Sequence, residues 1–487
     1  MDKKLNILFA AAEVAPFAKT GGLADVAGAL PKALKKLGHH VIVVMPRYYS
    51  IATSDLQKLY EPLGVPMGVM GELWAGVYRT KLPQSDVDIY FIDYEHYFGR
   101  SGLYGDDEGS YHDNDNRFIF FSKAALQLCK MLHFTPDIIH ANDWHTAALP
   151  LLSKTRFVHD FAYAASVLTI HNLQHQGHFY KGIMDILEVG WEHFNPHELE
   201  SFDGVNILKG GIAQADAVTT VSQKYAQEIQ TPEFGFGLDG HIRAHHSKLF
   251  GILNGVDYEE WNPMTDTYLA ANYELNDMSG KGVCKKDLQE YFKLDVREDV
   301  PLIGFVGRFV EQKGIGLIAT VIHGLLDHDI QIVMLGTGEK WAEHFFSEVA
   351  YFRHNCAVHI GYSNALAHQI EAGSDMFLMP SLFEPCGLNQ IYSLKYGTLP
   401  IVRATGGLDD TIVNFDEHTE TGNGFKFYDA TNEALYHTVL WAVDVYNTKK
   451  EAFERMQRFA MQEHFSWEDS AKVYEKVYQF AWEHKRI

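Results

Sequence analysis

The sequence predicts an α/β protein made of two doubly wound domains, each with a parallel sheet. Apolar segments of strand length recur along the chain, and segments with helical spacing lie between them. In addition, 487 residues exceed what a single hydrophobic core usually holds. Because strands and helices alternate in both halves of the chain, two domains are favoured over one.

The predicted strands are the short apolar runs. In the first half they are LNILFAA, HVIVVM, DIYFID, PDIIHA, SVLTIH, DAVTTVS and LFGILNG. In the second half they are LIGFVGR, IQIVMLG, AVHIG, MFLMPS and LPIVRA. Nearly continuous apolar runs of this kind are typical of parallel strands buried on both faces.

Two helices have recognisable boundaries in the sequence. The first starts at Gly22 and keeps apolar residues at helical spacing until Gly38, a typical C-terminal cap, while Pro31 predicts a kink within it. The last helix, in SWEDSAKVYEKVYQFAWEH, starts after a serine cap and is expected to place Val473 and Val477 on its apolar face.

The predicted domains are residues 1–255 and 256–465, followed by a closing helix at 466–487 that returns toward the first domain. The break is expected near residues 254–300, where the stretch after ILNGVDYEEWNP loses its strand pattern and becomes polar.

Composition excludes several classes of function. The formal net charge is -22, and no basic stripe is present, so nucleic acids and anionic membranes are poor partners. The four cysteines lie far apart without a CxxC pair, which disfavours a zinc site and a disulfide framework and suits a reducing cytoplasm. The start of the chain resembles a secretory signal, but Asn6 and Glu13 interrupt its apolar run, which is therefore interpreted as the first strand.

A pair of cations follows one strand of the second half. In IGFVGRFVEQKG, Arg308 comes directly after the apolar run, and Lys313 follows five residues later. Ligands of parallel sheets bind beyond the carboxyl ends of strands, so these two side chains are expected to hold a diphosphate.

A glycine loop occurs once in each half, as KTGGLADVAG at 19–28 and ATGGLDDTIV at 404–413. Such a loop either forms a tight turn or brings the amides of a helix start close to an anion. Lys19 favours phosphate binding for the first copy, whereas the second copy lacks a cation and is interpreted as structural, with backbone donors. Neither copy has the GxGxxG spacing of a dinucleotide site, which disfavours a nicotinamide-dependent oxidoreductase.

Two further clusters follow predicted strands. In PSLFEPCGLNQ, Glu384 is either a ligand for sugar hydroxyls or a charge at a helix start, and Cys386 is interpreted as buried packing. His171 ends SVLTIH and leads into NLQHQG, where it is either catalytic or a histidine satisfied within the core.

Taken together, these motifs resemble those of bacterial glycogen synthases. The resemblance rests on KTGGLADV, HNLQHQG, NGVD, the Arg308 and Lys313 pair, FEPCGLNQ and YGTLPIVRATGGLDDT, in the family's order and over nearly the whole chain. It implies the GT-B fold, in which two Rossmann-like domains face each other across a cleft. It also implies transfer of glucose from ADP-glucose to the non-reducing end of an α-1,4-glucan, with retention.

The resemblance also implies roles for individual residues. Lys19, Gly21 and Gly22 would line the donor diphosphate, and Arg308 and Lys313 would neutralise the leaving phosphates. Asp25, Asn254 and His171 would contact the transferred glucose. Glu384 and the backbone of Cys386, Gly387 and Leu388 would hold the donor glucose, Tyr362 would lie against adenine, and Glu13 is a further candidate.

On this reading the first domain binds the acceptor and the second binds the nucleotide sugar, and the cleft would close during catalysis. Side-chain cations replace a metal, and no cofactor is needed because ADP-glucose is a substrate. The expected partners are ADP-glucose and glycogen or a malto-oligosaccharide, and neither nucleic acid nor a membrane. The missing extension of plastid starch synthases favours a bacterial cytoplasmic enzyme. A UDP-glucose-dependent enzyme and an inactive glycan-binding protein are the alternatives.

Overall fold

The computed structural model describes residues 3–106 and 108–485. The chain forms two compact units, the first comprising Met1–Gly255 with Trp467–Ile487 and the second comprising Val256–Ser466. Both units are α/β, which confirms the predicted fold class.

Strands of the first unit come from throughout its length. They are β1 (Asn6–Ala10), β2 (His40–Pro46), β3 (Gln57–Lys58), β4 (Leu63–Pro66), β5 (Glu72–Lys81), β6 (Asp88–Asp93), β7 (Gly105–Asp106), β8 (Gly109–Ser110), β9 (Ile138–Asn142), β10 (Ala165–Ile170), β11 (His178–Tyr180), β12 (Glu200–Ser201), β13 (Gly204–Asn206), β14 (Ala217–Thr220) and β15 (Leu249–Gly251).

The main sheet has the strand order β15-β14-β10-β9-β1-β2-β6-β5-β3, with β4 also paired to β5. Pairing is parallel from β15 to β6, but β5 runs antiparallel to β6 and to β3. The sheet is therefore parallel as predicted, with an antiparallel edge that the sequence analysis did not include. The physical reason is that the connection from Lys81 to Asp88 is too short for the crossover that parallel neighbours need.

Helices of the first unit connect these strands. They are α1 (Gly22–Lys36), α2 (Glu95–Phe98), α3 (Asn114–Met131), α4 (Ala148–Lys154), α5 (Val158–Phe161), α6 (Met184–Leu187), α7 (Ile207–Gln214), α8 (Gln223–Glu228) and α9 (Asp239–Ala244). Pro31 lies inside α1, and Gly38 follows that helix with a φ of 94°, as the predicted cap requires.

The second unit contains a parallel sheet with helices between its strands. Its strands are β16 (Leu302–Val306), β17 (Gln331–Gly336), β18 (Cys356–Ile360), β19 (Met376–Met379), β20 (Leu399–Arg403) and β21 (Phe425–Phe427). Its helices are α10 (Ser279–Tyr291), α11 (Ile315–Leu325), α12 (Lys340–Phe352), α13 (Asn364–Gly373), α14 (Asn389–Lys395), α15 (Gly406–Thr411), α16 (Asn432–Thr448) and α17 (Lys450–Gln462).

The strand order of this sheet is β18-β17-β16-β19-β20-β21, with parallel pairing throughout. The order reverses between β16 and β19, so the sheet is doubly wound as predicted. Apolar side chains from both faces of the sheet form one continuous core with α11, α16 and α17.

The chain ends in α18 (Trp467–His484), which packs within the first unit. The hydroxyl of Tyr478 lies 2.8 Å from Nδ1 of the buried His140, and Ser470 Oγ donates to Leu253 O at 2.7 Å. Val477 is buried as predicted, but Val473 is 42% exposed, because the buried face of the helix runs through Tyr474 and Tyr478 instead.

All four cysteines are buried thiols rather than disulfides. Among the described residues, no helix is both long enough and apolar enough to cross a membrane.

Candidate active site

The first glycine loop of the chain is held by a buried carboxylate. Glu13 is 3% exposed and accepts hydrogen bonds from the Thr20 amide, from the Thr20 hydroxyl at 2.6 Å and from the Gly21 amide at 3.3 Å. The hydroxyl of Tyr104 donates to the same carboxylate at 2.6 Å. Glu13 therefore holds the backbone of the loop between β1 and α1 in place through these hydrogen bonds.

Space is open beside the two glycines of this loop. A Cβ atom built on Gly21 or on Gly22 would meet nothing within 4 Å. The N–H groups of Gly22 and Leu23, in the first turn of α1, find no acceptor in the part of the chain that the structure describes. The loop thus presents backbone donors to open space, as an anion or hydroxyl site requires.

Lys19 and Asp25 form an ion pair across this loop, with Lys19 Nζ 2.7 Å from Asp25 Oδ1. Burial raises the pKa of the Asp25 carboxyl, although Lys19 partly offsets the shift. Among the predicted residues of the first unit, Glu13, Lys19, Gly21, Gly22 and Asp25 are thus brought together.

The second glycine loop is packed rather than open. A Cβ atom on Gly406 would overlap Glu384 O, and one on Gly407 would overlap Cys386 O. The Gly407 amide donates to Glu384 O at 3.1 Å and to Pro385 O at 3.2 Å. The packing supports the structural part of the interpretation of this copy, and the Gly407 amide is used to support the loop that carries Glu384.

His171 lies directly after β10 and is 8% exposed. Asn142 donates its Nδ2 to Ala10 O at 3.1 Å, so its Oδ1 faces His171 Nε2 at 3.0 Å and accepts a hydrogen bond from it. This geometry places a proton on Nε2. Burial lowers the pKa of His171 to about 3, which keeps the ring neutral over the physiological range.

Asp143 was not singled out from the sequence, although it follows β9 at the same sheet edge. Its Oδ1 accepts the amide of His171 at 2.7 Å and that of Asn172 at 3.4 Å. The pKa of Asp143 is raised to about 7 in all. Burial raises this pKa most, the two amide hydrogen bonds lower it, and the negative charge of Glu13 raises it. The carboxyl ends of β1, β9 and β10 therefore carry one polar site.

Residues 140–147, with the sequence HANDWHTA, contained the signal for this site, because Asn142 and Asp143 stand where β9 ends. Tyr104 was also missed, since it contacts Glu13 across 91 positions of sequence and no local pattern marks such a contact. Its ring stacks on His145 at a centroid distance of 4.6 Å.

Asn254 lies apart from this group, after β15 at the end of the first unit. It is 5% exposed, and its Oδ1 is buried without a hydrogen-bond partner in the described chain. A buried acceptor without a partner is costly unless another group satisfies it.

In the second unit, the two predicted cations follow β16. Arg308 is exposed, and its guanidinium forms no hydrogen bond or ion pair with the described residues. Lys313 Nζ lies 2.6 Å from Glu384 Oε2, which also accepts a hydrogen bond from Ser381 Oγ at 2.9 Å. Gly314, with a φ of 71°, packs so closely on Pro380 O that only glycine fits there, which brings the Lys313 turn against the end of β19.

The segment after Glu384 completes this sheet edge. Cys386 is 6% exposed, and Gly387 has a φ of 71°. The amides of Gly387 and Leu388, which precede α14, find no acceptor among residues 3–106 and 108–485. Tyr362 follows β18 and is 83% exposed, two strands away from β16.

Within the same described ranges, no three histidine, cysteine, aspartate or glutamate side chains cluster as a metal site would. Lys19 instead pairs with Asp25 and Lys313 pairs with Glu384, whereas Arg308 has no ion pair within those ranges.

Two protein-family models match the chain. The starch synthase catalytic domain matches residues 6–244, and glycosyl transferases group 1 matches residues 288–457.

Curated relatives extend this likeness over nearly the whole length. Glycogen synthase 1 of Geobacter sulfurreducens is 54% identical over 480 residues, covering 98% of this chain and 96% of the relative. Glycogen synthase of Bacillus anthracis is 44% identical over 481 residues, covering 98% and 99%.

Among solved structures, the catalytic domain of starch synthase IV from Arabidopsis thaliana, bound to ADP and acarbose, is similar with a TM-score of 0.91 and 33% identity, covering 99% of this chain and 100% of that one. Sucrose-phosphate synthase from Thermosynechococcus elongatus, at 16% identity and a TM-score of 0.59 over 98% of each chain, shares the fold. The glycine loop, histidine and cation motifs are all in place. Because its sequence is more than 40% identical to glycogen synthases over almost their entire length, this chain belongs to the bacterial glycogen synthase family.

Proposed function

We propose that this enzyme transfers glucose from ADP-glucose to the non-reducing end of an α-1,4-glucan, with retention of configuration and without a metal ion. The observation that carries the proposal is the group of Arg308, Lys313 and Glu384 at the carboxyl ends of β16 and β19. It combines cations for a diphosphate with a carboxylate for sugar hydroxyls in a protein whose net charge of -22 otherwise repels phosphates.

The second unit is assigned to the nucleotide sugar. Cleavage of the bond between glucose and phosphate builds negative charge on the departing diphosphate, and Arg308 and Lys313 stabilise that charge. The unused amides of Gly387 and Leu388 and the carboxylate of Glu384 hold the glucose, with the backbone of Cys386 beside them. The exposed ring of Tyr362 provides a stacking surface for adenine.

The first unit is assigned to the acceptor side and to the reacting glucose. Lys19 and the open amides beside Gly21 and Gly22 approach the donor phosphates. Asp25 and the unpaired Oδ1 of Asn254 contact hydroxyl groups of the transferred glucose.

His171 also faces the transferred glucose in this assignment. Because its imidazole is neutral, it adds no positive charge beside a sugar that becomes cationic in the transition state. Asp143 holds the backbone of His171 in place through the 2.7 Å hydrogen bond.

No cofactor is assigned, because the nucleotide sugar is consumed as a substrate and the two side-chain cations take the role that a metal has in other transferases. The partners in this proposal are ADP-glucose and glycogen or a malto-oligosaccharide. The proposed compartment is the cytoplasm, where the four buried thiols stay reduced.

The test is to incubate the purified enzyme with glycogen and either ADP-glucose or UDP-glucose. We expect release of ADP to be at least tenfold faster than release of UDP, with new α-linkages detected by the anomeric proton signal. Arg308→Ala serves as the control for background hydrolysis. Equal rates for the enzyme and for Arg308→Ala would contradict the activity, faster UDP release would contradict the donor, and β-linkages would contradict retention.

A further inference from the structure

A second concave site lies in the second unit, along the open edge of its sheet. It has a volume of about 460 Å³ and is bounded by the turn after α10, by the end of α12 and by edge strand β18. We call it the β18 cavity. It is lined by residues 291–294, by residues at the end of α12 and by Cys356–His359, none of which has a role in the proposed transfer reaction.

The lining of the β18 cavity is basic. It includes Lys293, Arg353, His354 and His359, and no aspartate or glutamate. This is unusual in a chain with 63 acidic and 41 basic residues, where a random surface patch carries excess negative charge. A local reversal of sign concentrates anions near that patch.

These basic groups are poorly compensated. Lys293, His354 and His359 make no side-chain hydrogen bond or ion pair with any residue that the structure describes. Arg353 pairs with Asp327 at 2.8 Å, but that carboxylate lies outside the lining and is 65% exposed. At least three donors are therefore available to a ligand.

A neighbouring cavity shows the contrast. It has a volume of about 300 Å³ and shares His354, but its own cation, Arg297, is paired with Asp329 at 2.6 Å and with Asp299 at 2.7 Å. There the positive charge is neutralised by protein carboxylates. In the β18 cavity no carboxylate of the lining competes with an incoming anion for Lys293, His354 or His359.

Lys293 itself occupies a position that usually favours glycine. It follows α10 with a φ of 57°, and its amide donates to Glu290 O at 3.1 Å, as in the left-handed C-terminal caps of helices. A lysine there introduces backbone strain, which the favourable charge at a helix C-terminus offsets only in part.

The remaining wall of the cavity is apolar. Phe292 is half-buried, and Leu294 is 7% exposed. These apolar side chains displace water from one side of the cavity, which strengthens the attraction between an anion on that side and the cations beside it. We propose that the β18 cavity binds a small phosphate-bearing anion, held by Lys293, His354, His359 and Arg353. This inference does not depend on the proposed transfer reaction.

The test is equilibrium dialysis of radiolabelled orthophosphate at constant ionic strength. The full-length chain carries Arg308→Ala throughout, so that phosphate binding at the donor site is weakened in every sample. The pocket variant is Lys293→Gln with His354→Asn and His359→Asn. The matched control removes the same charges elsewhere in the second unit, as Lys286→Gln with His344→Asn and His437→Asn.

We expect one saturable phosphate site in the Arg308→Ala protein and in the matched control, with the same Kd within twofold. In the pocket variant we expect Kd to rise at least tenfold. Absence of saturable binding in the Arg308→Ala protein, an unchanged Kd in the pocket variant, or an equal rise in the matched control would overturn the site.

A second variant guards against misfolding. Lys293→Gly relieves the left-handed strain and removes the ammonium group, so we expect a thermal midpoint equal to or above that of the parent together with weaker phosphate binding. Unchanged phosphate binding in Lys293→Gly would also overturn the site. Displacement of bound radiolabelled orthophosphate by unlabelled orthophosphate and by a hexose phosphate then compares the affinities of the free ion and of the phosphate ester. The site is supported whichever of the two binds more tightly.

Discussion

Replacement of Gly22 by alanine is expected to separate stability from activity. Gly22 is the first residue of α1, and an added Cβ would meet nothing within 4 Å. Alanine is the better helix former, so the free energy of unfolding should stay the same or rise by up to about 1 kcal/mol. Activity should nevertheless fall, because the methyl group would occupy the space through which a phosphate or a sugar reaches the amides of the loop.

The size of the loss follows from the cost of crowding a packed contact. Forcing a methyl group into a fitted site costs about 1–3 kcal/mol, which corresponds to a fall in kcat/KM of about five- to 150-fold. The assay is release of ADP from ADP-glucose in the presence of glycogen, together with urea unfolding followed by circular dichroism.

Two other glycines provide matched controls. Gly282→Ala, in α10, also meets nothing within 4 Å, so it should stabilise the fold to a similar extent and leave kcat/KM unchanged. Gly407→Ala should destabilise the fold, because its Cβ would overlap Cys386 O. A Gly22→Ala enzyme with unchanged kcat/KM would refute the idea that the first glycine loop is open for a substrate.

Three further predictions follow from the same geometry. Arg308→Ala should lower kcat by about a hundredfold, or ~3 kcal/mol, without a change in the free energy of unfolding. Lys313→Ala should lower kcat and should also lower the free energy of unfolding by about 1–3 kcal/mol, because it leaves the buried Glu384 without its cation. A destabilised Arg308→Ala protein would contradict this difference. Activity should survive dialysis against EDTA, and a loss that is restored by a divalent ion would show that side-chain cations do not replace a metal. Burial lowers the folded-state pKa of His140 and of His171 to about 3, so below pH 6.5 the unfolded chain binds more protons than the folded one. The free energy of unfolding should therefore fall by about 1.4 kcal/mol per pH unit for each of the two histidines. His171→Gln should reduce the slope of unfolding free energy against pH between 6.5 and 4, and an unchanged slope would argue against the neutral buried imidazole.

The predicted strands were correct because most of them are buried on both faces. A strand such as β9 is apolar along its length, and its pattern survives whatever surrounds it. Strand β5 was missed for the opposite reason. In its sequence, ELWAGVYRTK, the side chains of Glu72 and Trp74 point to one face and are exposed, while those of Ala75 and Val77 point to the other face and are buried. This alternation is typical of an antiparallel strand that is covered on one face only.

The two glycine loops show where local sequence stops being informative. Both contain TGGL followed by an aspartate two residues later, and both begin a helix after a strand. They differ in what surrounds them, since Gly407 packs against the backbone of Cys386 and Gly22 faces open space. Tertiary neighbours of this kind come from distant parts of the chain. The only local sign of the difference was Lys19, which has no counterpart before the second copy.

In the proposed reaction, the ion pairs that each cation already makes determine how strongly it can attract the donor diphosphate. Lys19 is held by Asp25 at 2.7 Å and Lys313 by Glu384 at 2.6 Å, so a diphosphate has to compete with a carboxylate for each of them. Arg308 has no such competitor among the described residues. A paired lysine gives up one anion to bind another, and the net gain is smaller than the full attraction. An unpaired guanidinium also offers two parallel donors to a phosphate. We therefore propose that the electrostatic part of donor binding rests mainly on Arg308, while Lys19 orients the half-buried Asp25 and Lys313 orients the buried Glu384.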